Sequence, residues 1–173
     1  MTATLASDDR ATRPAPPDDP TRDQADAGSL AARLGEAGYQ PVRETAIGLV
    51  IALGNRGLHH ATARQDGDRL RIEVGVASGK PLPAPARVAL ERYLGLGAAG
   101  FRRLSWRLED EDGRQSAVLA STAPDDADVD GIREAIEGLG LACDHLGPAA
   151  RALAAEPVAR RYLTHLTPNE GAA

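Results

Sequence analysis

The chain of 173 residues carries a formal net charge of −5 and has an isoelectric point near 5.4, which disfavours a general nucleic-acid-binding protein, because such proteins present a basic patch or stripe. Its single cysteine, Cys143, excludes an intrachain disulfide and a zinc site built from several cysteines, and it is typical of a reducing compartment, so we expect a cytoplasmic protein. The longest apolar run, from Ala46 to Leu53, is far shorter than the roughly 20 residues that a membrane-spanning helix needs, and no hydrophobic run follows the start, so we expect neither export nor a membrane partner.

Residues 1–28 mix Asp, Pro, Thr and Ala with almost no large apolar side chain. A segment of this composition buries too little apolar surface to offset the entropy of ordering. We therefore predict a disordered, acidic, proline-rich tail over 1–28, a single folded domain over 29–166 and a short C-terminal tail over 167–173. At the start of the domain, Ser29 is a suitable N-cap for a helix that ends near Gly38.

The stretch from Thr45 to Ala77 predicts three consecutive antiparallel strands. The first is apolar at nearly every position, and the second and third meet at Asp66-Gly67, which is a strong hairpin signal. A two-residue loop there sets Ala63 opposite Leu70, and it gives the sheet one apolar and one polar face. The predicted apolar face comprises His59, Ala61, Ala63, Leu70, Ile72 and Val74, and the polar face comprises His60, Thr62, Arg64, Arg69, Arg71 and Glu73, with His60 opposite Glu73.

The large apolar residues of the first strand are predicted on the polar side of the sheet. A two-residue turn at Asn55-Arg56 puts Ile47, Leu49 and Ile51 on the same face as His60. An apolar stripe in that position should be covered by another part of the chain, a second copy or a partner. A change of one residue in the loop length would reverse the assignment.

A connector, a helix and a second hairpin follow. Pro85 suits the first turn of a helix that runs to about Leu96. The hairpin, Phe101–Glu109 and Arg114–Ala123, turns at Asp112-Gly113. In this register Trp106 faces Leu119 and Leu108 faces Ala117 on an apolar side, while Arg103, Ser105 and Arg107 lie on a charged side.

From Pro124 onward the sequence is helical, with carboxylates at Asp125, Asp126 and Asp128 where a helix N-terminus favours them. Gly138 and Gly140 end the first helix of this region, Gly147-Pro148 begins another short helix, and Pro157 opens the last.

The predicted order of elements along the chain is therefore α-β-β-β-α-β-β-α(α). It describes an α+β fold in which an antiparallel sheet of about five strands, a three-strand meander plus a hairpin, carries helices packed mainly on one face.

No group of residues has the geometry of a catalytic or metal site. His59 and His60 are neighbours in a strand and point to opposite faces, so they cannot both bind one metal ion. Cys143 and His145 lie two residues apart near a helix end and would not share a face, which disfavours a dyad. An enzyme that uses His59 or Cys143 is the third hypothesis, and no geometry in the sequence supports it. The acidic run Asp110–Gly113 lacks the spacing of a calcium loop. We predict no catalytic residue, no metal, no cofactor and no enzymatic activity.

Several basic residues are predicted on the charged side of the sheet, where they could bind phosphate or carboxylate. They are Arg69, Arg71, Arg102, Arg103 and Arg107. The interspersed Glu73 and Glu109 favour a solvated face of mixed charge instead.

Three features carry a similarity to a known fold: the hairpin Leu58–Ala77, the connector Gly79–Pro83 before a helix, and the hairpin Phe101–Ala123 followed by Asp125-Asp126. With the order of elements, they resemble the type III secretion chaperone-like fold, including the YbjN-like bacterial proteins, over about 29–166. The resemblance implies a small acidic α+β protein, often dimeric, that binds an extended segment of another protein and has no catalytic residues. The long leader and the several short C-terminal helices depart from the family pattern, so we carry over the binding mode and not the secretion role.

We therefore expect a non-catalytic protein-binding or chaperone-like module that engages a partner polypeptide, an effector segment or a second copy of itself through the exposed face or edge of the sheet. The candidate contact residues are Ile47, Leu49, Ile51, Arg69, Arg71, Glu73, Arg103 and Arg107. The alternative is a small-molecule or anion-binding regulator that uses the arginines of the outer face. Nucleic acid is not an expected partner.

Overall fold

The computed structural model describes residues 29–53, 59–79, 81–111 and 113–166, so the predicted tails 1–28 and 167–173 lie outside the described residues. Within these ranges the chain forms four helices and six strands. The helices are α1 (residues 29–36), α2 (Ala84–Ala98), α3 (Val129–Leu153) and α4 (Glu156–Leu166), and the strands are β1 (Pro41–Thr45), β2 (Gly48–Leu53), β3 (His59–Asp66), β4 (Arg69–Gly79), β5 (Leu104–Glu111) and β6 (Arg114–Pro124). The predicted α+β class is confirmed, with one strand more than expected.

The six strands form one antiparallel sheet in the order β1-β2-β3-β4-β6-β5. The first four strands are a meander, and β6 then lies between β4 and β5, which leaves β5 at the edge. Helices α2 and α3 pack against one side, which we call the inner face, and α4 packs against α2 and α3. No helix in the described part of the chain is long and apolar enough to cross a membrane.

The additional strand is β1, which lies before the predicted first strand and shares only Thr45 with it, and a turn separates β1 from β2. Ala46 and Ile47 form this turn, and Gly48 follows it with a φ of +148°. A Cβ at Gly48 would lie 2.4 Å from the carbonyl oxygen of Ala63, so only glycine fits at this position. The apolar run Ala46–Leu53 therefore begins as a turn and becomes a strand only at Gly48.

The prediction that Leu49 and Ile51 lie on the polar face is wrong. Leu49 pairs with Ala63, and Ile51 pairs with Ala61, which puts both on the inner face. The physical reason is loop length: β2 ends at Leu53 and β3 begins at His59, so five residues join them, and the register differs by one residue from that of a two-residue loop. Ile51 is fully buried and Leu49 is 5% exposed.

The β3–β4 hairpin also differs from the prediction, but by two residues. Its loop is Gly67-Asp68, and Asp66 pairs with Arg69. A shift of two residues leaves every side chain on its predicted face. Thr62, and not His60, therefore lies opposite Glu73, while Leu70, Ile72 and Val74 are buried on the inner face as predicted.

The β5–β6 hairpin has the predicted register, with Trp106 opposite Leu119 and Arg107 opposite Val118.

The predicted helix ends at Gly138–Gly140 and Gly147 are wrong, because α3 runs unbroken for 25 residues with Pro148 inside it. One face of α3 is buried along its whole length, and this packing outweighs the backbone hydrogen bond that Pro148 cannot donate. Its N-terminus is as predicted: the Asp128 carboxylate accepts a hydrogen bond from the Gly131 N–H at 2.8 Å.

Candidate protein-binding face

The side of the sheet opposite α2 and α3 is the outer face, and one row of paired residues crosses all six strands on it. This row consists of Arg43, Val50, Thr62, Glu73, Ala120 and Ser105. The hydrophobic core lies on the other side: Leu49, Ile51, Ile72 and Leu119 belong to its cluster of buried residues. Val50, Val118 and Ala120 are buried too, but they lie outside that cluster, beneath the outer-face side chains.

Three arginines converge on Glu73 near the middle of the outer face. Arg107 Nη1 donates a hydrogen bond to Glu73 Oε1 at 2.6 Å, and Arg71 Nε donates to the same oxygen. Arg64 Nη2 lies 3.8 Å from Glu73 Oε2. Burial by itself raises the pKa of the Glu73 carboxyl, but the hydrogen bonds from Arg107 and Arg71 outweigh burial, so this pKa lies below its ordinary value.

Two further carboxylates extend the network. Arg107 Nε donates to Glu109 Oε1 at 2.7 Å, and Arg71 Nη1 donates to Asp66 Oδ2 at 3.3 Å. We call the set Arg64, Arg71, Arg107, Asp66, Glu73 and Glu109 the Glu73 cluster. Because each carboxylate pairs with at least one guanidinium, the head groups of the three arginines are held in place on the outer face.

Outside the Glu73 cluster the outer face has an excess of positive charge. Arg43 and Arg69 are exposed and form no ion pair within the described residues. Among the residues that the structure describes, strand register places six arginines and four carboxylates on this face, a formal net charge of +2 on a chain whose total is −5; these residues are Arg43, Arg64, Asp66, Arg69, Arg71, Glu73, Arg107, Glu109, Glu111 and Arg114. An acidic molecule would be attracted to this side.

The structure brings together only part of the predicted contact set. Arg69, Arg71, Glu73 and Arg107 share the outer face. Arg103 does not, because it lies in the turn before β5 with a φ of 61° and pairs with Glu134 of α3 at 3.7 Å.

The predicted apolar stripe does not form. Ile47 is 65% exposed in the β1–β2 turn, while Leu49 and Ile51 are buried in the core. The main sequence-based support for an apolar binding face is therefore removed, and the charged and small residues of the outer face remain.

Sequence reasoning missed two arginines. Arg43 belongs to the strand that was not predicted. Arg64 was placed on the polar face but not among the contact residues, although its alternation with Thr62 and His60 along β3 would have included it.

The other titratable candidates are separate from this face. His59 lies on the inner side, with Nε2 3.0 Å from Asp144 Oδ1 of α3, whereas His60 is exposed on the outer side. Cys143 is fully buried, and desolvation raises the pKa of its thiol to about 12. No group of three or more His, Cys, Asp or Glu side chains that could hold a metal ion occurs in the described ranges.

Neither protein-family models nor curated proteins give a match to this chain.

Proposed function

We propose that this protein is a non-catalytic, chaperone-like binding module that holds an acidic, extended segment of a partner protein across the outer face of its sheet. The observation that carries the proposal is the charge of that face: a net +2 on a chain of −5, with Arg43 and Arg69 exposed and unpaired among the described residues. Carboxylates of a partner would pair with these two arginines, and complementary charge speeds association and selects the partner.

The shape of the face suits a polypeptide. On the outer face, Gly75 is exposed and has no side chain, and Thr62 is half-buried and has a small one, so a backbone can approach β3 and β4 closely at these positions. The Glu73 cluster holds its arginines in fixed positions before any partner arrives, which reduces the entropy lost on binding.

A small anion is a weaker candidate for this face. The carboxylate of Glu73 occupies the point on which Arg71 and Arg107 converge, so a phosphate would have to displace it. The anion-binding hypothesis also needs Arg103. This residue lies in the turn between α2 and β5, where it pairs with Glu134 of α3, so it does not reach this point.

Strand addition at the β1 edge is also less favoured than binding across the face. β1 has five residues, begins at Pro41 and carries a bulge between Pro41 and Arg43. Short strands, proline and bulges are the features that protect sheet edges from pairing.

Photo-crosslinking from the two sides of the molecule tests the proposal. A photoreactive residue at Thr62 on the outer face is compared with one at Leu96, which is 74% exposed on α2. We expect crosslinks to acidic segments of a partner from Thr62 and not from Leu96.

Charge reversal supplies the second arm of this experiment. Arg43→Glu with Arg69→Glu should reduce crosslinking from Thr62 by about tenfold or more, since tenfold corresponds to only about 1.4 kcal/mol. The matched control, Arg87→Glu with Arg92→Glu on exposed positions of α2, changes the net charge equally and should leave crosslinking unchanged. Equal losses in both double variants would show that net charge, and not the outer face, governs binding.

A further inference from the structure

A cleft lies on the helix side of the sheet, away from the outer face. It has a volume of about 410 Å³ and lies between the connection from α1 to β1, which contributes Tyr39, and one face of α3. Arg133, Glu137, Leu141 and Asp144 line it from α3, at a spacing of four, four and three residues that places them on one side of the helix. The volume falls within the range of small-ligand sites.

The cleft carries unbalanced negative charge. Its lining holds two carboxylates, Glu137 and Asp144, and one guanidinium, that of Arg133, whose Nη1 donates to Asp130 Oδ1 at 2.7 Å. Glu137 forms no ion pair in the part of the chain that the structure describes, and Asp144 contacts only the imidazole of His59 there, which is charged only when protonated. Burial raises the pKa of the Tyr39 hydroxyl, and the charge of Glu137 raises it further, while the charge of Arg133 acts in the opposite direction and is the smaller of the two.

An apolar side chain, that of Leu141, separates the carboxylates of Glu137 and Asp144 in the lining of the cleft. Leu141 is 53% exposed, and it is one of the few large apolar side chains on α3 that face solvent. Gly140 beside it is buried and has no side chain, which deepens the cleft at this point. A ligand would therefore meet apolar surface and carboxylate oxygen together.

We propose that this cleft binds an organic cation, an amine or guanidinium on an apolar stem, with the carboxylate of Glu137 as its ion-pair partner and Leu141 against the stem. The Tyr39 hydroxyl accepts a hydrogen bond from the cation. A metal ion does not fit, because Glu137 and Asp144 are seven residues apart, a rise of about 10 Å along the helix, and cannot coordinate one ion. The site is independent of the proposed function, since it lies on the opposite side of the sheet.

Calorimetry and NMR titrations of the full chain test this site with two sources of the same chemistry. The free probes are butylamine and agmatine, and the peptide probes are capped Ala-Lys-Ala and Ala-Arg-Ala. Butanol and butyrate match the stem without the positive charge. We expect millimolar or tighter binding of the cations, with chemical-shift changes centred on Tyr39 and Leu141, and no binding of butanol or butyrate.

Glu137→Gln should weaken cation binding by about tenfold or more, the loss expected when a charged partner is removed. Leu141→Ala should weaken it by a smaller factor, and the matched control Glu134→Gln, on the same helix beside Arg103, should not change it. Tighter binding of the peptides would identify a basic side chain of a protein as the ligand, and tighter binding of the free amines would identify a small molecule.

The proposal is overturned if no cation binds, if the uncharged and anionic probes bind equally well, or if the shifts of the unmodified protein map elsewhere. The last result needs no variant, so it does not depend on whether a substituted chain folds.

Discussion

Glu73 is the residue on which the charged side of the sheet depends. Its side chain is 14% exposed, and it receives hydrogen bonds from Arg71 and Arg107. If this carboxylate is removed, two partly buried guanidinium groups lose their common acceptor, and partly buried charges without partners destabilise a fold. The ion pairs in this cluster are thus unlike the exposed pairs on α3 and α4, which contribute little.

We therefore predict that Glu73→Gln lowers the free energy of unfolding by about 1–2 kcal/mol at neutral pH. Because the folded state lowers the pKa of this carboxyl below its ordinary value of 4.5, its contribution is present above that pH and is lost as the pH falls through the lowered pKa. Urea denaturation of wild type and variant should give different midpoints at neutral pH and converging midpoints in acid.

Glu109→Gln is the matched control for this prediction. Glu109 accepts from Arg107 at the margin of the cluster, but its side chain is 41% exposed. A pair this open to water contributes little, so the control should lose no more than a few tenths of a kcal/mol. Equal losses in the two variants would mean that Glu73 has no special place in the network.

At the scale of single elements, strand β2 separates what the sequence could predict from what it could not. Its β character follows from the alternation of large apolar residues from Leu49 to Leu53. The side of the sheet to which its residues point does not follow, because a change of one residue in the register between β2 and β3 exchanges the two sides, and the sequence alone does not fix that register. The β5–β6 hairpin was predictable because Gly113 fixes a tight loop with its positive φ.

Helix α3 illustrates a different limit. Gly147 and Pro148 are local signals for a helix boundary, and they are correct as statements about propensity. They are overridden because Ile136, Leu139 and Cys143 before them and Leu153 after them all pack into the core, so that one continuous helix buries more apolar surface than two short ones.

The facing of β2 leads to a test with two isoleucines. Ile51 is fully buried and Ile47 is 65% exposed, although the alternation of the sequence places them on the same side of one strand. We predict that Ile51→Ala lowers the free energy of unfolding by about 2–5 kcal/mol, because it leaves a cavity in the core. Ile47→Ala should change it by less than about 0.5 kcal/mol. Urea denaturation measures both, and similar small losses would instead support the register in which the two residues form an exposed stripe.

At the scale of the whole molecule, the candidate face depends on a pairing that has no local signal. The alternation along β4 predicts that Arg71 and Glu73 point the same way. Arg107 lies on β5, two strands away from Glu73 on β4, and its side chain reaches across β6 to the Glu73 carboxylate. Either strand of the second hairpin could pair with β4. Packing of the sheet against α2 and α3 decides that β6 does so, and a single sequence does not reveal this choice.

At alkaline pH the free energy of unfolding of the whole domain falls, because buried groups that are neutral in the folded state ionise. Desolvation raises the pKa of the Cys143 thiol from 9.0 to about 12, with the nearby charge of Asp144 adding to the effect, and burial also raises the pKa of the Tyr39 and Tyr93 hydroxyls above 10.0. Each group keeps its proton in the folded state at a pH where the unfolded chain releases it. Their contribution to stability is therefore complete below the unfolded pKa values and is lost as the pH rises through the folded ones.

We predict that the free energy of unfolding is constant near neutral pH and falls above about pH 9, with the thiol accounting for about 1 kcal/mol of the loss by about pH 10. Cys143→Ala starts from a lower stability, because it removes a buried sulfur, but it should lose less as the pH rises. Urea denaturation of both proteins along a pH series measures the two slopes. Parallel curves above about pH 9 would show that Cys143 ionises as readily in the folded protein as in the unfolded chain, and the alkaline limit would then lie with the tyrosines alone.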